Sequence, residues 1–303
     1  VVADRDLRVV AEADAPAAEE GTNLNRRTHL VRRFSCDIRH PSLAMDWTYY
    51  WNILEKISTR YFFLAGLGFL IFYVLLRRRL LYRKIQSKFP RNSDYAREIS
   101  YSMITMLIFA FVPVLIIQDP AVVRHTRYYR QIADHGWFYF WVAFPLLFLI
   151  HDAYFYWTHR LMHHRLLFRW FHRVHHRSTN PSPWAAYSFH PLESVVESGI
   201  FPVFLFTLPV HPIHLFVFFF LMIAYNVYGH LGYELYPRAF NRHWAGRWIN
   251  TSISHNQHHQ YYKGNYGLYF TIWDRLMGTM RPDYDERFVE VKGRKAKALT
   301  NPG

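Results

Sequence analysis

The 303-residue chain has one cysteine, Cys36. A single thiol closes no intrachain disulfide and builds no thiolate metal cluster. Any metal site must therefore be made of histidine and carboxylate. Acidic residues are scarce beside basic ones, 22 against 36, and the formal charge is +14. Such an excess can mark a nucleic-acid binder. Here the basic residues flank apolar runs and aromatic-rich segments, the pattern of a cytoplasmic membrane face, so nucleic acid is not an expected partner. The N-terminus lacks a signal-peptide pattern, and residues 1–20 alternate acidic and small side chains and read as a loosely attached tail.

Apolar residues are abundant, at 51%, with 19% aromatic, and they gather in long runs. Residues Tyr61 to Leu76 are apolar throughout and end in Arg77, Arg78 and Arg79. Extended back through Ile57, this run has the length a helix needs to cross hydrocarbon, and the arginines put its end at the cytoplasm. A second run, Ile99 to Ile117, carries Pro113, and a third, Trp137 to Ile150, is short and aromatic. Between them Arg124, Arg127 and Arg130 oppose a simple topology. The fourth apolar region, Gly199 to Tyr228, is broken by Pro209 and Pro212. Two halves remain, each short for a span, which predicts a helical hairpin that returns to the face it entered from. A single kinked helix would put His230 on the opposite side from the earlier histidines. The expected fold is all-α: a polytopic membrane protein with about four transmembrane helices and a cytosolic, histidine-rich cap. The segments read as a tail and pre-membrane stretch over 1–56, membrane helices over 57–135, a catalytic domain over 136–282 and a basic tail over 283–303.

Histidine carries the chemistry. Of 19 histidines, 15 lie between His151 and His259. Residues three and four apart share a helix face. His159 and His163 form an i, i+4 pair. His172, His175 and His176 form an H-x-x-H-H set, and His255, His258 and His259 repeat it. Each trio is expected to present its three imidazoles to one point. Eight such nitrogens can hold two metal ions with positions left for oxygen or water. A lone H-x-x-x-H is weak evidence, but three boxes in one chain are not. Surface histidines beside headgroups are the plain alternative, and clustering so many without a ligand is unfavourable.

Other residues are weighed individually. His230 follows the hairpin and is expected near the cluster as a further ligand. His151, eight residues before His159, and His190, before Pro191, are possible ligands. His164 points about 100° from His163 and is left out. His211 and His214, at the hairpin tip, read as interfacial, and His29, His40, His125 and His135 as unremarkable. Asp152 is placed as a carboxylate that holds a ligand imidazole through its second nitrogen, with a surface ion pair as the alternative. Glu193 and Glu197 are read first as ordinary acids of a helix begun by Pro191, rather than as bridging ligands. An all-nitrogen dimetal site beside lipid suits iron and O2 acting on an unactivated C–H bond, which redox-inert zinc cannot attack.

The boxes together, H-x-x-x-H, then H-x-x-H-H, then a distant second H-x-x-H-H, resemble the fatty acid hydroxylase and sterol desaturase superfamily. The resemblance runs from about Trp137 to Pro282. The stretch from His175 to Ser194, with Asn180 to Pro183 and Ala185 to Pro191, is similar to sterol C-5 desaturases (lathosterol oxidases). Asn265 to Thr279 is similar to the segment that closes the family's catalytic domain. By this resemblance the metal ligands fall on His159, His163, His172, His175, His176, His255, His258 and His259, with His230 matching a further family position. His190 and Pro191 match a histidine-proline pair, and His151 a position before the first box. It implies two irons per chain, O2 as co-substrate and an external electron donor of cytochrome b5, ferredoxin or reductase type. No HPGG-type haem loop is evident.

The expected activity is O2-dependent desaturation of a sterol-like or other membrane lipid, with lipid C–H hydroxylation as the alternative. Tyr154, Phe155, Tyr156, Trp157 and Trp184 are candidates for lining the lipid channel or for anchoring at the interface. A zinc hydrolase would work without O2, and a metal transporter would need polar residues in its spans. The expected location is a multi-pass membrane protein with its site facing the cytoplasm, in the inner membrane of a bacterium or the endoplasmic reticulum of a eukaryote.

Overall fold

The computed structural model describes residues 46–294; Cys36, His29, His40 and the tail over 1–20 lie outside them. The described residues are helical, with no strand among them. Among the described residues four helices are long and apolar enough to cross a membrane: Trp47–Leu75, Asn92–Ile117, Gly136–Met162 and Pro212–His230. This agrees with the all-α, four-span expectation.

Helix α1 (Trp47–Phe69) continues through a wider π-type turn over Leu70–Leu75. It starts well before Ile57, so the segment read as pre-membrane is already helical. The reason lies at its N-cap, where the Asp46 side chain accepts from the Thr48 amide. The longer helix also carries Glu55, Lys56 and Arg60, so the first span is less uniformly apolar than the run from Tyr61 suggests. Helix α2 (Asn92–Ile117) contains Pro113 without breaking. Helix α3 (Gly136–Met162) is not short: it passes Pro145 and runs on through the first histidine box. The proline-broken region folds as α5 (Pro191–Ser198), α6 (Ile200–Thr207) and α7 (Pro212–His230).

Backbone pairing defines one end of the bundle. The Asp46 backbone and the Gln118 side-chain amide exchange hydrogen bonds of 2.9 and 3.1 Å. The Arg127 amide donates to Leu205 at 2.7 Å, and Tyr129 to Val210 at 3.1 Å. His211 donates to the Arg130 carbonyl and His214 to that of Phe140. Both histidines are buried. They close the hairpin tip from inside rather than sit at a lipid interface, because the turn leaves carbonyls that need donors. At the opposite end the turn before α5 meets the last part of α7, where Asn226 Nδ2 donates to the Ala186 carbonyl at 2.7 Å, so the hairpin does return to its own side. Small residues, Ala65 and Ala110, are fully buried between α1 and α2. Phe63, Leu75, Met103, Phe138 and Phe216 point outward, an apolar belt that no protein covers among the described residues.

A cap of short helices closes the second end: α4 (Arg173–His176), α8 (Ser252–Tyr261) and α9 (Ile272–Leu276). The last segment departs from its reading as a tail. Residues Tyr284–Gly293 form α10, and Tyr284, Phe288 and Val291 are buried with Ile85 and Ile253. Spacings of four and three put those apolar side chains on one helix face, while Asp285, Glu286 and Glu290 face out. Phe288→Ala is expected to cost about 3 to 5 kcal/mol of stability. Thermal unfolding in detergent checks this, and an unchanged midpoint would mean that α10 does not belong to the core.

Candidate metal centre

Nine histidines meet where the bundle joins the cap. His159 lies in the last turn of α3 and His163 caps its end. His172 stands at the start of α4, and His175 and His176 are on it. His230 ends α7. His255, His258 and His259 are on α8, whose N-cap Thr251 accepts from the Ser254 amide at 3.2 Å.

They form two groups, His159, His163, His172, His176 and His258, and His175, His230, His255 and His259. Within each group one ligand atom per residue lies within 4.8 Å of all the others. In the first, His159 and His172 bring their Nε2 atoms to 2.9 Å, and His163, His176 and His258 theirs to 3.0–3.1 Å. In the second, His230 Nε2 is 3.3, 3.0 and 3.1 Å from those of His175, His255 and His259. The expectation that each trio serves one point is therefore corrected. Residues i and i+4 differ by about 40° around a helix, whereas consecutive residues differ by about 100°. So His172 pairs with His176 and His255 with His259, while His175 and His258 each cross to the other group. His230 joins the second group.

The outer nitrogens are mostly held. Nδ1 of His159, His258, His230 and His175 faces the carbonyls of Tyr266, Gly264, Asn226 and Ser188, at 2.8, 2.7, 2.8 and 3.3 Å. A nitrogen facing a carbonyl must donate, which leaves the Nε2 lone pair aimed into the group. Gly264 can offer its carbonyl because it takes φ of +82°, where an added Cβ would lie 2.7 Å from the Thr279 oxygen. Burial is the main cause that pushes His163, His172, His175, His176, His255, His258 and His259 below the usual imidazole range, and neighbouring imidazoles add to it. They are neutral at pH 7, the state a metal requires.

The carboxylate behind the site is Glu193, not Asp152. Glu193 Oε1 lies 2.6 Å from His172 Nδ1, and both residues are buried. Asp152 instead accepts from the Tyr269 and Phe270 amides at 2.9 and 3.1 Å. It ties the cap to α3 and touches no histidine of either group. The i, i+4 spacing of Glu193 and Glu197, close to His190, was visible in the sequence, but first-turn acids are too common to single Glu193 out. His151 is buried yet outside both groups, with Nδ1 2.9 Å from the Tyr269 hydroxyl. His190 caps α5 by accepting from the Leu192 amide. His164 is exposed.

Below the histidines a cavity of about 390 Å³ opens inside the bundle. Phe109, Phe155, Tyr187, Phe189, Phe201 and Phe219 line much of it. The Phe155 ring packs 4.9 Å from that of His159, and the Phe189 ring 5.0 Å from that of His175, so the cavity wall packs against both groups. Of the five aromatics named from sequence, only Phe155 lines it.

The donor set fits two metal ions. Two nitrogens about 2.1 Å from a shared ion lie roughly 3.0 to 3.4 Å apart, which the observed separations match. Uncharged imidazoles packed nitrogen to nitrogen, without donors between them, otherwise repel.

Residues 144–279 match the family model described as Fatty acid hydroxylase. Over this stretch the chain is similar to that family, which agrees with the resemblance drawn from the histidine boxes. The relatives it matches include sterol enzymes. The Delta(7)-sterol 5(6)-desaturase ERG3B of Gibberella zeae is 28% identical over 256 residues, which cover 82% of this chain and 77% of that one. Delta(7)-sterol 5(6)-desaturase erg3C of Aspergillus fumigatus is 31% identical, over 57% of this chain and 60% of its own. Lathosterol oxidase of Mus musculus is 30% identical, with 52% of each chain covered. No solved structure matches the chain.

If the centre holds one ion per group, His258→Ala and His175→Ala should each lose metal chiefly from their own group, and His164→Ala should lose none. Glu193→Ala should weaken metal binding about 10- to 100-fold. Elemental analysis after anaerobic loading measures all four variants. Full loading of both His258→Ala and His175→Ala would remove these groups as metal sites.

Proposed function

We propose that the protein is an O2-dependent, non-haem di-iron desaturase that acts on a sterol-like membrane lipid. The observation that carries this reading is the packing of two buried imidazole groups against Phe155 and Phe189, wall residues of an apolar cavity inside a membrane-length bundle. Its similarity to sterol 5(6)-desaturases supports a sterol-like substrate. His159, His163, His172, His176 and His258 would hold one iron, and His175, His230, His255 and His259 the other. Bound there, iron supplies the redox capacity and O2 binding that breaking an unactivated C–H bond requires.

The chain's own residues do the rest. The cavity aromatics hold an apolar skeleton and keep bulk water from the reacting carbon. The carbonyls of Tyr266, Gly264 and Asn226 and the Glu193 carboxylate fix the imidazoles. Removal of two substrate hydrogens with reduction of O2 to two waters consumes two further electrons and two protons, so a separate donor protein is part of the scheme. Retention of one oxygen atom as an alcohol is the second outcome, and the family model's description as a hydroxylase favours keeping it in view. The two outcomes differ in how the substrate is positioned.

In this reading the cap faces the cytoplasm, on the side of Arg77, Arg78 and Arg79. Cysteines placed at Arg177 and Gln260, with Cys36 replaced, should both label from that side. Labelling from opposite sides would separate the groups and end the shared centre. Lipid profiling of cells with and without the gene, under air, should show a sterol that loses two hydrogen atoms. A product formed equally well without O2 would exclude the oxygenase reading in favour of zinc-type hydrolysis.

A further inference from the structure

The cavity is apolar along most of its wall, but not near the histidines. His151, Glu197 and Asn226 all line it, one from each of α3, α5 and α7. Each sits just below a residue of the centre. Glu197 is four residues beyond Glu193, and Asn226 four before His230, each about 6 Å along its helix. His151 is eight residues before His159, or about 12 Å. Part of each side chain's capacity is used by the protein. His151 Nδ1 meets the Tyr269 hydroxyl, and Asn226 Nδ2 donates to the Ala186 carbonyl at 2.7 Å. His151 Nε2, Asn226 Oδ1 and the Glu197 carboxyl have no hydrogen bond or ion pair among the described residues. Buried polar groups are normally paired, so three unpaired ones around one cavity point to a partner within it.

We propose that His151, Glu197 and Asn226 form a polar collar that binds the hydroxyl of the substrate lipid. The inference rests on the proposed function for the site it serves. It adds that the lipid enters with its hydroxyl-bearing end toward the metals and its apolar remainder toward the hairpin tip. The oxidised carbon then lies near the hydroxyl, not far along an acyl tail. That suits a ring alcohol and disfavours an acyl chain, whose polar head would be remote from its reacting carbon. A hydroxyl both donates and accepts, and the collar offers acceptors in Asn226 Oδ1 and Glu197 together with an imidazole nitrogen. Lys56 and Arg60 of α1 also line the cavity and would suit an anionic head instead.

The test uses the iron-loaded, full-length protein in lipid nanodiscs. Binding of lathosterol and of its 3-methyl ether is measured by competition against radiolabelled lathosterol, with turnover and iron content recorded in parallel. The ether keeps the skeleton and loses the donor. The wild type should bind lathosterol about tenfold more tightly than the ether. Glu197→Ala should erase that difference at unchanged iron content, while Glu197→Gln, which keeps the shape and a hydrogen-bonding group, should preserve most of it. Glu55→Ala, at an exposed position on α1, should change nothing. Equal wild-type affinities would overturn the collar, as would discrimination lost in Arg60→Ala but kept in Glu197→Ala. Discriminating binding without conversion would uphold the collar and sink the desaturase reading. Conversion without discrimination would do the reverse, and a wild type that binds neither sterol would sink both.

Discussion

Everything in this fold answers to one constraint: nine imidazoles must be buried together and stay uncharged. Water is excluded from the centre, so each ring nitrogen needs a protein partner or a metal. Three of the outer nitrogens take carbonyls that irregular backbone leaves free, which suits a cap built of short helices and turns rather than long elements. A regular helix spends its carbonyls on itself. The carbonyls of Gly264, Tyr266 and Ser188 lie outside helices, and that is where the histidines find them. The Asn226 carbonyl is the exception, serving His230 from within the last part of α7.

Close approach is the second consequence. The His255 ring lies 3.4 Å from where a Cβ on Gly229 would sit, so α8 presses against α7 with room for no more than a small residue there. The cap is then locked from beneath. Asp152 takes two amides of the cap loop, Asp274 takes those of Tyr266 and Gly267, and Glu234 accepts from the Ile253 amide at the start of α8. Four backbone segments far apart in sequence are thereby fixed relative to the centre.

The histidines were readable in the sequence because helical spacing is short-range: nine of them meet, and His164 stays out. What spacing could not report is which ring serves which group, since that depends on how α4 and α8 face each other. Long-range partners were hidden for the same reason. Glu193 supports His172 across 21 residues, and Asp152 serves the cap across more than a hundred. An acid near a helix start has an ordinary local explanation, so nothing in the sequence marked Glu193 as special. The N-terminal half of α1 and the whole of α10 were missed because charged residues on their outer faces mask the apolar stripe. Both are amphipathic segments, and their buried faces become visible only against their neighbours.

The crossing of consecutive histidines has a mechanical meaning. His175 and His176 send neighbouring rings to different groups, and His258 and His259 do the same in the opposite sense. The two groups are therefore stitched together twice by a single peptide unit, whose Cα atoms are held about 3.8 Å apart. The separation of the two centres is set by covalent bonds, as by a pair of rulers, and not by whatever later lies between them. Breathing of the bundle can tilt the pair, but it has little means to pull them apart.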